Sequence, residues 1–156
     1  MMTRFTRIAF VLACSIAGAR SAEVRSVNVC SLTSDPATYS GQMVSVRAYV
    51  VTDYHGTFIG DRKCKKLILL VLPEGASLAP KISLKEDDAY KRFDEALHDC
   101  RPGTSQPRKR IEARFTGRFE YLAQREGSAR FPESVRSPLG AHWQLVLESV
   151  SGVRLW

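Results

Sequence analysis

The sequence predicts a mainly β fold, a five-stranded OB-like (oligonucleotide/oligosaccharide-binding) barrel with one helix between strands three and four. The order of the elements along the chain predicts it. Three strand-like segments precede the single helical segment and two follow it, which is the order in which OB barrels commonly place their helix. A β-sandwich, the alternative, would need about seven strands and no central helix. The predicted elements are strands at 42–52, 57–59, 65–72, 110–121 and 142–150, and a helix at 83–99.

The alternation of apolar and polar residues supports each long strand. Residues 42–52 and 110–121 place apolar side chains at every second position, the period of a half-buried strand. The segment 67–72 is apolar on both faces, which indicates a strand covered on both sides. Residues 28–41 predict a short helical turn and then a turn at Asp35-Pro36, because Pro36 disfavours a helical conformation for the residue before it.

The predicted helix begins with a capping signal and ends at a breaker. Ser83 and Glu86 have the spacing of a capping box, in which each side chain satisfies the free backbone donor of the other residue. Pro102 and Gly103 stop the helix, and a polar loop follows. The segment 122–141 is long and rich in Gly, Ser, Pro and Arg, and loops of that length are often functional.

The first nineteen residues predict export from the cytoplasm. Arg4 and Arg7 precede an apolar stretch over 8–19, which ends in the small residues of a peptidase site. We therefore predict a signal peptide at 1–19 and a single domain at 20–156, periplasmic or secreted, with no transmembrane segment in the mature chain. As the alternative, Val11 to Cys14 is close to a lipobox, which would make the protein a lipoprotein anchored through Cys14.

Three cysteines remain after cleavage, so one is left over if two pair. We predict a Cys64–Cys100 disulfide, which closes a loop of 37 residues and stabilises the fold by roughly 4 kcal/mol. The alternative pairing is Cys30–Cys64.

The stretch 29–64 carries a set of short motifs. Cys30 and Asp35-Pro36 are followed by Tyr39, a glycine and a Val-x-Val-Arg strand, and Asp61-x-x-Cys64 precedes the third strand. This pattern resembles small, largely uncharacterised, secreted bacterial proteins that are OB-like. The resemblance implies the fold and the location, and no reaction. Where those proteins often have small or acidic residues, this chain has Lys63, Lys65 and Lys66.

The positive charge of the chain is concentrated in one stretch. The net charge is +7, and cleavage of the signal leaves +5 because two arginines are lost. Residues 101–136 hold nine basic and four acidic side chains, hence the whole excess of +5. Such a field concentrates anions. We therefore predict a non-catalytic module that binds an anionic ligand (glycan, lipid headgroup or nucleic acid) or an envelope component.

In the barrel the ligand would meet two loops, one after the first strand and one between the last two strands. Arginines would contact its charge and aromatic rings would stack on it. The predicted ligand-binding residues are Tyr54, His55 and Phe58 from the first loop and its strand, and Arg125, Arg130, Phe131 and Arg136 from the second.

Because the protein is predicted to be exported, nucleic acid is disfavoured as its ligand. The sequence leaves the oligomeric state open. Two other functions remain. The outer face of the third strand could bind a protein partner, because its apolar run extends to both faces. An enzyme is the third hypothesis, although the sequence contains no nucleophile elbow and no cluster with metal-ligand spacing, and therefore predicts no catalytic residue, metal or cofactor.

Overall fold

The computed structural model describes residues 23–54, 56–75, 82–121 and 143–156. Within these residues the chain forms the predicted barrel. Its elements are β1 (Arg25–Val27), α1 (Val29–Ser34), α2 (Pro36–Tyr39), β2 (Met43–Asp53), β3 (Gly56–Gly60), β4 (Leu67–Val71), a 3-10 turn (Pro73–Gly75), α3 (Asp88–His98), β5 (Ile111–Tyr121) and β6 (Trp143–Leu155). The predicted signal peptide and Cys14 lie outside the described residues.

Five strands close into a mixed barrel in the order β2-β3-β4-β6-β5, and β5 pairs back onto β2. The pairs are antiparallel except for β4 with β6, which run parallel. Strand β1 is an addition that the sequence did not predict; it pairs parallel with the first half of β2. The five-stranded OB-like barrel with a helix between its third and fourth strands is thus confirmed.

Because apolar and polar residues alternate along the strands, the apolar side chains of each strand lie in a shared core. Val46 of β2, Ile68 of β4, Phe115 of β5 and Leu147 of β6 are fully buried in one cluster. Phe93 of α3 joins them, and its ring lies edge-on to that of Phe115, with 5.5 Å between centroids. Tyr90, Ala96 and Leu97 of the same helix are partly buried against this cluster, so α3 packs on the barrel through one apolar side.

The start of α3 differs from the prediction. The predicted cap at Ser83 is wrong: the helix begins at Asp88, and Asp87 caps it, with its Oδ1 accepting from the backbone N–H groups of Ala89 and Tyr90 at 3.1 Å each. The backbone N–H of Lys85 instead donates to a carbonyl of β6 at 2.7 Å, which holds this segment outside the helix.

The contacts of the Asp87 carboxylate at the start of α3 also change its pKa. The backbone N–H of Tyr90 donates to the Asp87 carboxylate, and the ammonium of Lys85 lies 3.3 Å from its Oδ2. Both interactions favour the charged form and lower the pKa of Asp87 below its ordinary value.

The predicted Cys64–Cys100 disulfide is wrong, and the alternative pairing forms. Cys30 of α1 bonds to Cys64 in the turn between β3 and β4, with 5.6 Å between their Cα atoms. Cys100 is a free thiol beyond the end of α3, where its Sγ donates to the carbonyl of Leu97 at 3.5 Å. A backbone bridge to Pro107 holds Cys100 in the polar loop. The disulfide therefore ties the N-terminal helical segment to the barrel.

The last strand is longer than predicted. It runs to Leu155, which pairs with Ile111 of β5, so residues beyond the predicted end at 150 are also part of the sheet. None of the helices in the described part of the chain has the length and apolar character needed to cross a membrane.

Candidate functional site

The outer face of β5 presents charged residues at every second position. Ile111 and Ala113 point into the core, so Arg110, Glu112 and Arg114 share the opposite face. Their spacing along the strand is about 6.8 Å per pair of residues. The outer face of β5 and the residue before it thus carry two cations with a carboxylate between them.

Strand β2 brings two more side chains onto this outer face. Tyr49 lies opposite Glu112, and Arg47 lies opposite Arg114. Arg47 and Glu112 form an ion pair, with 2.6 Å between Nε and Oε1. Arg114, directly across from Arg47, forms no ion pair with any acidic residue in the described part of the chain. Two guanidinium groups therefore share one cross-strand position, an arrangement that destabilises a sheet.

Strand β6 completes the face on the other side of β5. Arg154 lies opposite Glu112, and Ser151 lies opposite Arg114. Trp156, just beyond β6, exchanges two backbone hydrogen bonds with Arg110, at 2.9 and 3.2 Å. Trp156 is 55% exposed.

A pocket of about 360 Å³ lies at the Trp156 end of this surface. Arg62, from the turn after β3, lines it together with Arg110, Glu112 and Trp156. The pocket is at the lower end of the size range of small-molecule sites. It offers cationic donors, one carboxylate and one indole.

We call this surface the arginine face. It comprises five arginines around one carboxylate, with two aromatic side chains at its edge: Arg47, Arg62, Arg110, Arg114, Arg154, Glu112, Tyr49 and Trp156. The formal charge of the face is +4, since five cations face one anion. Among the described residues, only Arg47 of the five is neutralised by an ion pair.

A second cationic cluster adjoins the face through Arg62. The turn between β3 and β4 contains Arg62, Lys63, Lys65 and Lys66, all exposed, and no ion pair links them to an acidic residue that the structure describes. We call these four residues the basic turn. Its middle residue, Cys64, is anchored to α1 by the disulfide. The turn is therefore fixed at its centre. Arg62 lines the pocket at its start, and at its end Lys66 Nζ lies 5.8 Å from the centroid of the Trp143 ring.

Part of the predicted charge excess is not available to a ligand. Arg118 points outward from β5 yet is buried, and its Nε donates to Glu120 Oε1 at 2.8 Å. Gln144 Nε2 donates to the other oxygen of Glu120 at 2.5 Å. Arg108 pairs with Asp99 at 3.0 Å. These arginines have carboxylate partners, as Arg47 has, whereas the other four arginines of the arginine face have none among the described residues.

The predicted ligand-binding residues are placed only in part. Tyr54 lies in the hairpin turn after β2 and is 92% exposed. Phe58 of β3 faces outward but is only 5% exposed, so its ring offers no open surface for stacking. The remaining five lie outside the described residues: His55, Arg125, Arg130, Phe131 and Arg136.

The outer face of β4, the third strand of the barrel, is not an open apolar surface. Leu69 is half-buried, and its outward neighbour Phe58 is buried. Val146 of β6, opposite Val71, is fully buried although it faces outward. Only Leu72, past the end of the strand, is exposed, at 44%. Within β4 only Ile68 is buried and the other four residues are half-buried, so the apolar run predicted for this strand is partly covered.

No three His, Cys, Asp or Glu side chains in the described ranges lie close enough to hold a metal ion. The chain matches no protein-family model, no curated protein and no solved structure. The resemblance to secreted OB-like proteins therefore stays a prediction.

Proposed function

We propose that this protein is an exported OB-like binding module whose arginine face holds an anionic ligand. One observation carries the proposal, which is the placement of Arg47 directly opposite Arg114 on an outward sheet face. Like charges in that position destabilise a sheet, and the ion pair of Arg47 with Glu112 leaves Arg114 as the unpaired cation. An anion seated between the strands turns this repulsion into two charge-assisted contacts.

The cations around this pair support the same function. Arg110 and Arg154 extend the positive surface along β5 and across to β6. A group of unneutralised arginines attracts anions from solution and forms hydrogen bonds with planar oxyanions in pairs. The bound class is thus carboxylates, sulfates or phosphates.

Export is proposed from two features. The N-terminal segment has the composition of a cleavable signal, and the chain carries the Cys30–Cys64 disulfide, a bond that persists in oxidising compartments. Mass spectrometry of the mature protein tests this: cleavage after Ala19 leaves a chain that starts at Arg20, whereas a lipoprotein starts at an acylated Cys14.

The binding test compares variants that remove equal charge from different places. The variant Arg110→Gln/Arg114→Gln removes two cations from the arginine face. The control, Lys91→Gln/Arg92→Gln, removes two exposed cations from α3. Affinities for anionic oligosaccharides, anionic-lipid vesicles and oligonucleotides are measured over a range of salt concentrations.

We expect the first variant to weaken binding by about tenfold or more, since each arginine contributes about 0.7 kcal/mol or more, and to flatten the dependence on salt. The control should stay within about twofold. Equal losses in both variants, or affinity indifferent to salt, would count against the arginine face. Arg114→Gln alone should also raise the free energy of unfolding by a few tenths of a kcal/mol, an effect that salt reduces.

A further inference from the structure

The arginine face contains one group that an anion-binding surface does not need, the carboxylate of Glu112. Its Oε1 is engaged by Arg47, and no described donor lies on its Oε2. The residue lines the pocket beside Arg62 and Arg110. A ligand that carries only acceptor oxygens is repelled by this carboxylate, whereas a ligand that also carries hydroxyl groups can donate to it.

The indole of Trp156 adds a second requirement. It is 55% exposed at the edge of the same pocket. An exposed aromatic ring beside convergent polar groups suits a ligand with a flat apolar surface between its polar edges. Oxyanions for the arginines, hydroxyl donors for Glu112 and a ring for Trp156 occur together in acidic sugars.

The position of the basic turn indicates how long the ligand is. Arg62 belongs both to the pocket and to this turn, which continues with Lys63, Lys65 and Lys66. A single acidic sugar occupies the pocket alone. A linear chain of acidic sugars leaves the pocket past Arg62 and places its next charges on the lysines, so that each further unit adds contacts without a new entropic cost of association.

From these three observations we infer that the ligand is a linear acidic oligosaccharide that binds from the pocket to the basic turn. The inference rests on the proposed function of the arginine face and narrows it to one ligand class. Polyphosphate and phospholipid headgroups supply charge but do not satisfy both Glu112 and Trp156. A DNA strand supplies rings and charge but has no backbone hydroxyl groups.

The test uses oligogalacturonates of two, four, six and eight sugars as probes, with linear polyphosphate, a single-stranded oligodeoxynucleotide and phosphatidylglycerol vesicles as comparators of matched charge. Affinities are measured calorimetrically on the purified protein. We expect the octasaccharide to bind at least about tenfold more tightly than the disaccharide, and at least about tenfold more tightly than polyphosphate of equal charge.

Three variants separate the parts of the inference. Lys63→Gln/Lys65→Gln should weaken the octasaccharide about tenfold and leave the disaccharide within about twofold. Glu112→Gln should narrow the preference for the sugar over polyphosphate about tenfold, chiefly because polyphosphate binds more tightly once the carboxylate charge is gone. Trp156→Ala should weaken every sugar and leave polyphosphate unchanged.

The outcomes are distinguishable. Equal affinity for oligogalacturonate and polyphosphate, or a preference for vesicles or the oligodeoxynucleotide, overturns the inference and leaves anion binding at the arginine face intact. An octasaccharide that gains nothing over the disaccharide overturns the role of the basic turn. If no anion in the panel responds to Arg110→Gln/Arg114→Gln, the proposed function itself falls.

Discussion

Replacing Gly117 with alanine tests how closely β5 must pack against β6 for the barrel to close. Gly117 pairs with Val44 of β2 and Leu147 of β6, and a register shift begins beside it. A Cβ atom at this position would clash with the backbone carbonyl oxygen of Val146 and lie 2.9 Å from the carbonyl carbon. Carbon atoms in contact normally keep about 3.5 Å or more, so the two strands would have to separate by at least about 0.6 Å.

The cost follows from what must move. The clashing atoms are backbone and cannot rotate away, so β6 shifts as a unit and its ladder hydrogen bonds to β5 lengthen. Overpacking of a closed core costs about 1–3 kcal/mol, and sometimes more. We expect Gly117→Ala to lie at the upper end, about 3 kcal/mol, which is a large share of a typical stability of about 5–15 kcal/mol.

The matched control is Gly152→Ala in the adjacent strand. Gly152 has a positive φ of 58° and no neighbouring atom within 4 Å of a built Cβ. Its replacement costs only the left-handed backbone penalty of about 1–2 kcal/mol. Urea unfolding, followed by circular dichroism, measures both variants. A loss for Gly117→Ala that does not exceed the loss for Gly152→Ala would refute this account of barrel closure.

Two further predictions concern the disulfide and the cap of α3. Cys30→Ser/Cys64→Ser should lower the free energy of unfolding by about 4 kcal/mol, because the bond spans 34 positions of chain. Cys100→Ser should change it by no more than about 0.5 kcal/mol in the same urea titration. A larger loss for Cys100→Ser than for the double variant would favour the Cys64–Cys100 pairing instead. Because the N–H of Tyr90 stabilises the charged carboxylate of Asp87, its folded pKa is lower than its unfolded pKa. The stabilisation that the charged Asp87 gives the fold is present above the unfolded pKa and is lost as pH falls through the folded pKa. The variant Asp87→Asn should therefore make the melting temperature less sensitive to acid below about pH 4.

The barrel could be predicted from the sequence because its long strands alternate with a period of two. β2 and β5 were predicted to within one residue at each end. β1 was missed because a strand of three residues carries no period. The start of α3 was wrong because Ser83 and Asp87 are both plausible caps, and the hydrogen bond between the segment before α3 and β6 decides between them.

The candidate site could be predicted only as a charge excess. The segment 101–136 was recognised as basic, yet the residues it contributes to the arginine face come from β5 and its start, and others come from β2, β6 and the turn after β3. Strand register brings these distant residues together. On β6 that register depends on a bulge at Gly152, which changes which residue lies opposite Arg114. The alternating pattern alone does not reveal such a shift.

Ion pairs are distributed unevenly among the arginines that the structure describes. Arg118 and Arg108 each have a carboxylate partner in contact, so their charges are neutralised within the fold. On the arginine face the single carboxylate, Glu112, lies at the centre of five cations and pairs with only one. A surface selected for solubility alone would intersperse the two signs and gain from the pairing. Four of the five arginines of the arginine face have no ion pair among the described residues, which leaves their guanidinium groups available to an anion from solution.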